Sequence, residues 1–143
     1  MTPQFLCAVI DTLIPGETSP GEAGLPALPS GSAAGLDLGP HAEAHRDVLR
    51  AIAERTGGEE SFVAADETKR VAILQTIERE RPDPFRALVV HLLQDYCETD
   101  LVLTAMGWRT DPPQPRGYAM MQSDMTIDAA VARVKQRAKI WRD

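Results

Sequence analysis

The chain has 143 residues, 43% of them hydrophobic and 25% charged, with a formal net charge of −6. That is one domain's worth of sequence with enough apolar surface for a core, which excludes a disordered chain. The acidic balance argues against a nucleic-acid binder and against a polybasic membrane anchor. No apolar run approaches the roughly 18 residues that cross a bilayer. Met1 to Gln4 lead into an amphipathic segment without the basic, apolar and small-residue pattern of an export signal. As written, the chain is expected to be cytoplasmic, or periplasmic if it is exported with a partner or had a signal removed.

Strand signals are nearly absent, because no window alternates apolar and polar residues over six or more positions. The spacing predicts a first helix from Pro3 to Ile14, with Thr2 as N-cap and Pro3 at the first helical position. Phe5, Leu6, Val9, Ile10, Leu13 and Ile14 cover about half its circumference, more than the stripe of an ordinary surface helix. Burial on two sides is predicted, either centrally in the domain or against a partner. Pro15-Gly16 ends it. Residues 15–41, rich in Gly, Pro, Ser and Ala, read as a long loop with Leu25, Leu28, Leu36 and Leu38 as anchors.

A second helix is predicted from about His41 to Thr56, with His45, Val48, Leu49 and Ile52 as its stripe and Gly57-Gly58 as its stop. A short turn at Ser61 to Ala65 precedes a third helix over Asp66 to Arg79. Asp83 as N-cap and Pro84 at the first position open a fourth, with Phe85, Leu88, Val89, Leu92, Leu93 and Tyr96 at helical spacing. Thr99-Asp100 starts a further short helix, Leu101 to Met106, which Gly107 closes. Pro112, Pro113 and Pro115 then force an extended path. A last helix is predicted over Thr126 to Lys139, with Ile127, Ala130, Val131 and Val134 inward. The fold class is all-α, a single domain over residues 1–143 of about five helices with long Pro/Gly-rich loops.

The residues that carry chemistry are few. His41 and His45 are four apart, as helix-borne metal ligands often are, but nothing nearby in sequence completes a site, and a capping or solvated role is the simpler reading. His91 reads as a neutral histidine at the core edge. Asp95, Glu98 and Asp100, with Asp11 a candidate neighbour, read as a solvated face plus an N-cap. Cys7 and Cys97 read as free, buried thiols, with a disulfide left open. Phosphate-binding glycine loops, a nucleophile elbow and a haem-attachment motif are all missing from the sequence. No catalytic, cofactor-binding or metal residue is therefore assigned.

Three segments resemble a known family. They are Val9-Ile10-Asp11-Thr12-Leu13-Ile14-Pro15-Gly16 with Ser19-Pro20-Gly21 and Ala23-Gly24-Leu25-Pro26; Tyr96 to Asp100 with Ala105-Met106-Gly107-Trp108; and Pro115-Arg116-Gly117-Tyr118. Together they look like the small third subunit of gluconate 2-dehydrogenase-type flavoenzymes. These motifs are structural punctuation, so they speak to fold more than to role.

The resemblance implies a non-catalytic small subunit. Its partner is a larger, FAD-dependent catalytic subunit of the glucose-methanol-choline type that oxidises a sugar, sugar acid or glycoside. A cytochrome subunit often takes the electrons. The small subunit supports folding, stability and export of the large one in a chaperone-like way. FAD is expected in the partner and no cofactor in this chain. Members commonly carry a twin-arginine signal, which this sequence does not show.

The partner-binding residues implied are Phe5, Ile10, Ile14 and Pro15 on and after helix one, Leu25 in the long loop, and Trp108, Arg109, Pro113, Arg116 and Tyr118 around the proline loop. Trp, Tyr and Arg are enriched at interface hot spots; a loop folded back on its own core is the competing reading. Two other functions stay open: a stand-alone helical enzyme using His91 with Asp95 or Glu98, and an unrelated helical adaptor.

Overall fold

The computed structural model describes residues 1–21, 24–111 and 131–135. Among them there is no strand, and the order is α1 (Pro3–Leu13), a 3-10 turn (Gly39–His41), α2 (Arg46–Thr56), α3 (Glu59–Ala64), α4 (Glu67–Glu80), α5 (Pro82–Glu98) and α6 (Asp100–Ala105). The chain divides into two compact units, Met1–Thr110 and Asp111–Asp143.

In the first unit, local rules place most helix ends. The Thr2 hydroxyl accepts from the Phe5 N–H at 3.4 Å and Asp66 accepts from Lys69 at 2.8 Å, each satisfying an orphan donor of a first turn. Gly57 takes a left-handed φ of 82° and stops α2. Two predicted starts are corrected. Helix α2 begins at Arg46, because His41 belongs to the 3-10 turn and His45 is the capping residue. Helix α5 begins at Pro82, and Pro84 follows inside the same first turn. Both prolines fit there because first-turn N–H groups have no intrahelical partner to lose.

Helix α1 packs on α3 and α4, α2 on α3, α4 and α5, α4 on α5, and α5 on α6. Phe5, Val9, Ile10, Val48, Leu49, Ile52, Phe62, Ile77, Leu88 and Leu92 fill the interior. Phe5 and Phe62 meet edge-on with ring centroids 5.5 Å apart. Arg70 stands 5.8 Å over the Phe62 ring while its Nε donates to the Phe62 carbonyl at 3.1 Å, closing the end of α3. Helix α1 buries Phe5, Leu6, Val9 and Ile10 in the domain's own core, against α3 and α4.

The loop after α1 is tied down. Gly31 N–H donates to the Ile14 carbonyl at 3.0 Å, and Ser32 donates to both oxygens of Asp11, from N–H at 2.9 Å and from Oγ at 2.6 Å. Leu36 and Leu38 are buried as predicted, and Leu28 packs partly on the core. Tyr96 Oη donates to the Pro29 carbonyl at 2.7 Å. Burial, then the nearby Glu17 charge and Cys97, pushes the Tyr96 hydroxyl above the ordinary tyrosine range. Because the folded state favours the protonated phenol, the contribution is complete below the unfolded value of about 10 and is lost as pH rises through the folded value. Tyr96→Phe is expected to lower stability by about 0.5–1.5 kcal/mol at neutral pH. It should also flatten the alkaline limb of a pH series of urea melts.

Three further expectations are corrected. Cys7 and Cys97 are free but exposed, since each lies off the stripe its helix buries: Phe5, Leu6 and Val9 turn inward on α1, as do Leu92 and Tyr96 on α5. Leu93, predicted inward, is 46% exposed. In the second unit residues 131–135 are helical, and Val131 and Val134, predicted inward, are exposed. The rest of the predicted Thr126–Lys139 helix, with Pro113, Arg116 and Tyr118, lies outside the described residues.

Candidate functional site

The chain has three histidines, and all three meet at one place. The 3-10 turn sets His41 beside α5, with ring centroids of His41 and His91 4.3 Å apart at 79°. One turn later the His45 N–H donates to the His41 carbonyl at 3.3 Å, so both rings face α5 from consecutive turns. His45 Nε2 lies 2.8 Å from His91 Nδ1, a hydrogen bond that joins residues 46 positions apart. On the other side of that ring, His91 Nε2 is 3.4 Å from Asp95 Oδ2, one helical turn along α5.

The electrostatics follow from the crowding. Burial, and then the neighbouring His91 and His41 rings, hold His45 below the usual histidine range. A neutral His45 keeps one ring nitrogen as acceptor, which suits its bond to His91. The cluster sits at the surface: His41 and Asp95 are exposed and His91 half-buried. Beside it, His45 lines a depression of about 270 Å³ with Ala44, Val48 and Pro84. Among the described residues no polar or charged side chain is fully buried.

The sequence pairs His41 with His45 and His91 with Asp95 but does not bring the two pairs together. His41 and His45 were set aside for want of a third partner nearby in sequence, and that partner is His91 on α5. The signal available was the pair of four-residue spacings, His41/His45 and His91/Asp95. Glu98 is exposed at the end of α5, Asp100 is in the first turn of α6, and Asp11 is engaged with Ser32.

The predicted partner-binding residues divide by burial. Phe5 and Ile10 have no exposed surface and Ile14 only 8%, so these side chains serve the domain's own core. Pro15 is exposed and Leu25 half-buried, its Cδ1 3.4 Å from where a Cβ on Gly107 would stand. Arg109 is exposed, and Trp108 is 66% exposed. A close at the end of α6 fixes Trp108: Gly107 has φ 75° and the Trp108 N–H donates to the Leu103 carbonyl at 2.8 Å. Missed in sequence was the extent of apolar exposure leading to it. Between Val90 and Trp108, Val90, Leu93, Leu101, Met106 and Trp108 all stand exposed. Val90 and Leu93 share one face of α5, and α6 packs on α5.

The chain belongs to the gluconate 2-dehydrogenase subunit 3 family, which it matches over residues 2–134. No curated protein and no solved structure matches it. Among the described residues no helix is long and apolar enough to cross a membrane.

Proposed function

We propose that this chain is a non-catalytic small subunit that binds and stabilises the FAD-dependent catalytic subunit of a sugar, sugar-acid or glycoside dehydrogenase. Family membership supports the assignment, and the observation that carries it is the exposed apolar run from Val90 to Trp108. Single exposed apolar residues need no explanation, but five large ones in one stretch of the chain support reading it as a contact surface. The FAD belongs to the partner, which also carries the oxidation. A cytochrome subunit is a further candidate member of the assembly.

The surface assigned to the large subunit centres on Trp108, with Leu101 on α6, Met106 at its C-cap and Arg109 at the rim. The helix close fixes the Trp108 backbone, so less of the chain has to be ordered on binding. Trp108→Ala combined with Leu101→Ala is expected to weaken assembly with the flavoprotein on the order of 100-fold. The melting temperature of the isolated chain should stay within about 2 °C of wild type, because both residues are exposed. Co-expression with the large subunit, followed by size-exclusion chromatography and a flavin absorbance trace, reads the first quantity. Undiminished complex would remove this face from the interface.

A further inference from the structure

We propose that His41, His91 and Asp95 form a binding site for a divalent transition-metal ion of the zinc class, with His45 holding His91 in the ligating tautomer. One ligand atom from each of the three residues lies within 4.8 Å of the others. Two imidazoles and a carboxylate are a donor set suited to zinc and its first-row neighbours, and a poor one for magnesium or calcium, which take oxygen ligands.

The geometry needs only local closure. A tetrahedral site with bonds of roughly 2.0–2.1 Å has ligand-to-ligand edges of roughly 3.4 Å. His41 and Asp95 are exposed, so their side chains are free to swing that distance without moving the backbone. His91 and Asp95 already face the same way at 3.4 Å. The fourth position opens to solvent and takes a water or a side chain from another chain.

His45 supplies what a metal-binding histidine needs on its far side. A ligating imidazole donates its second N–H to an acceptor, which fixes ring and tautomer. With the proton on His91 Nδ1, that nitrogen donates to His45 Nε2 across 2.8 Å, and the lone pair of His91 Nε2 faces Asp95 and the ion. Without metal, the reverse arrangement places the proton on His91 Nε2 toward Asp95. His45 is therefore a positioning residue.

The site would also link the long loop to the bundle. His41 ends the 3-10 turn at the close of that loop, and His91 and Asp95 stand on α5. A bound ion would cross-link the two segments and raise stability by mass action.

The test uses the full chain without an affinity tag, stripped with EDTA. Cys7→Ser and Cys97→Ser are built in, because Cys7 and Cys97 are exposed and a thiolate is itself a zinc ligand. Isothermal titration with Zn²⁺ is expected to give one site of micromolar affinity or tighter. The melting temperature should rise by roughly 5–10 °C at a free-metal excess of about 100 Kd. Co²⁺ should give the intense visible bands of a tetrahedral site. His41→Ala and Asp95→Ala should each weaken binding on the order of 100-fold, and His45→Ala by roughly 10–100-fold. Glu98→Gln, on the same helix, should leave it unchanged. Circular dichroism confirms that each variant is folded. Millimolar binding, or tight binding that survives His41→Ala and Asp95→Ala, overturns the assignment.

Discussion

Phe62→Ala is expected to cost roughly 3–5 kcal/mol, the largest effect of any single truncation proposed for this chain. Phe62 is fully buried on the six-residue helix α3, whose length gives it little stability of its own. The ring holds that helix in place through the edge-on contact with Phe5 at 5.5 Å and the Arg70 guanidinium above it. Removing it empties a cavity at the meeting of α1, α2 and α3 and deprives Arg70 of its ring. Domains of this size are stable by only about 5–15 kcal/mol, so roughly a fifth or more of the total is at stake. The melting temperature should fall by roughly 10–20 °C in a calorimetric scan. Leu93→Ala, at an exposed position, is the control and should move it by no more than about 2 °C. Equal losses at the two positions would contradict the packing described here.

Gly31→Ala is expected to destabilise by about 1–3 kcal/mol through overpacking. A Cβ at Gly31 would stand 2.4 Å from Ile10 Cγ2 and 3.4 Å from Ile14 Cβ. That methyl cannot turn away, because Ile10 is fully buried and β-branched residues are stiff at χ1. The loop must therefore lift from α1, straining the Gly31-to-Ile14 hydrogen bond and the Ser32 contacts to Asp11 beside it. The prediction has an internal check. Ile10→Leu removes the offending branch at nearly constant volume, so Gly31→Ala should cost less in the Ile10→Leu background than in wild type. Chemical denaturation of the four proteins of that cycle measures the coupling. A strictly additive cycle would place the cause of any loss elsewhere.

Much of the fold was legible because local rules decided it. Thr2 with Pro3, Asp66, Gly57 and Gly107 each act through bonds within one or two turns, and each terminus stands where the residue type requires. The α5 start was misplaced by two residues because Pro82 and Pro84 both satisfy the same rule, and nothing local separates them. Burial was harder to read. Cys7, Cys97 and Leu93 are apolar in type but point away from the core, and only the packing of neighbouring helices decides which side of a wide stripe is enclosed. Phe5, Ile10 and Ile14 show the converse: their place on a wide apolar arc did not say what would cover them, and in the isolated chain the domain's own core does. The histidine cluster was legible only as two separate four-residue spacings, for a different reason. His45 and His91 are 46 positions apart, and their meeting depends on α2 packing against α5.

The most direct test of the subunit assignment is gentle purification of the chain from its native host, with an absorbance spectrum of the eluate and mass spectrometry of every co-eluting chain. The expected result is a larger chain with a flavin spectrum that stays with this one through size-exclusion chromatography and oxidises a sugar, sugar acid or glycoside with an added acceptor. A colourless chain eluting alone, at the size of an uncomplexed subunit, would contradict the proposal.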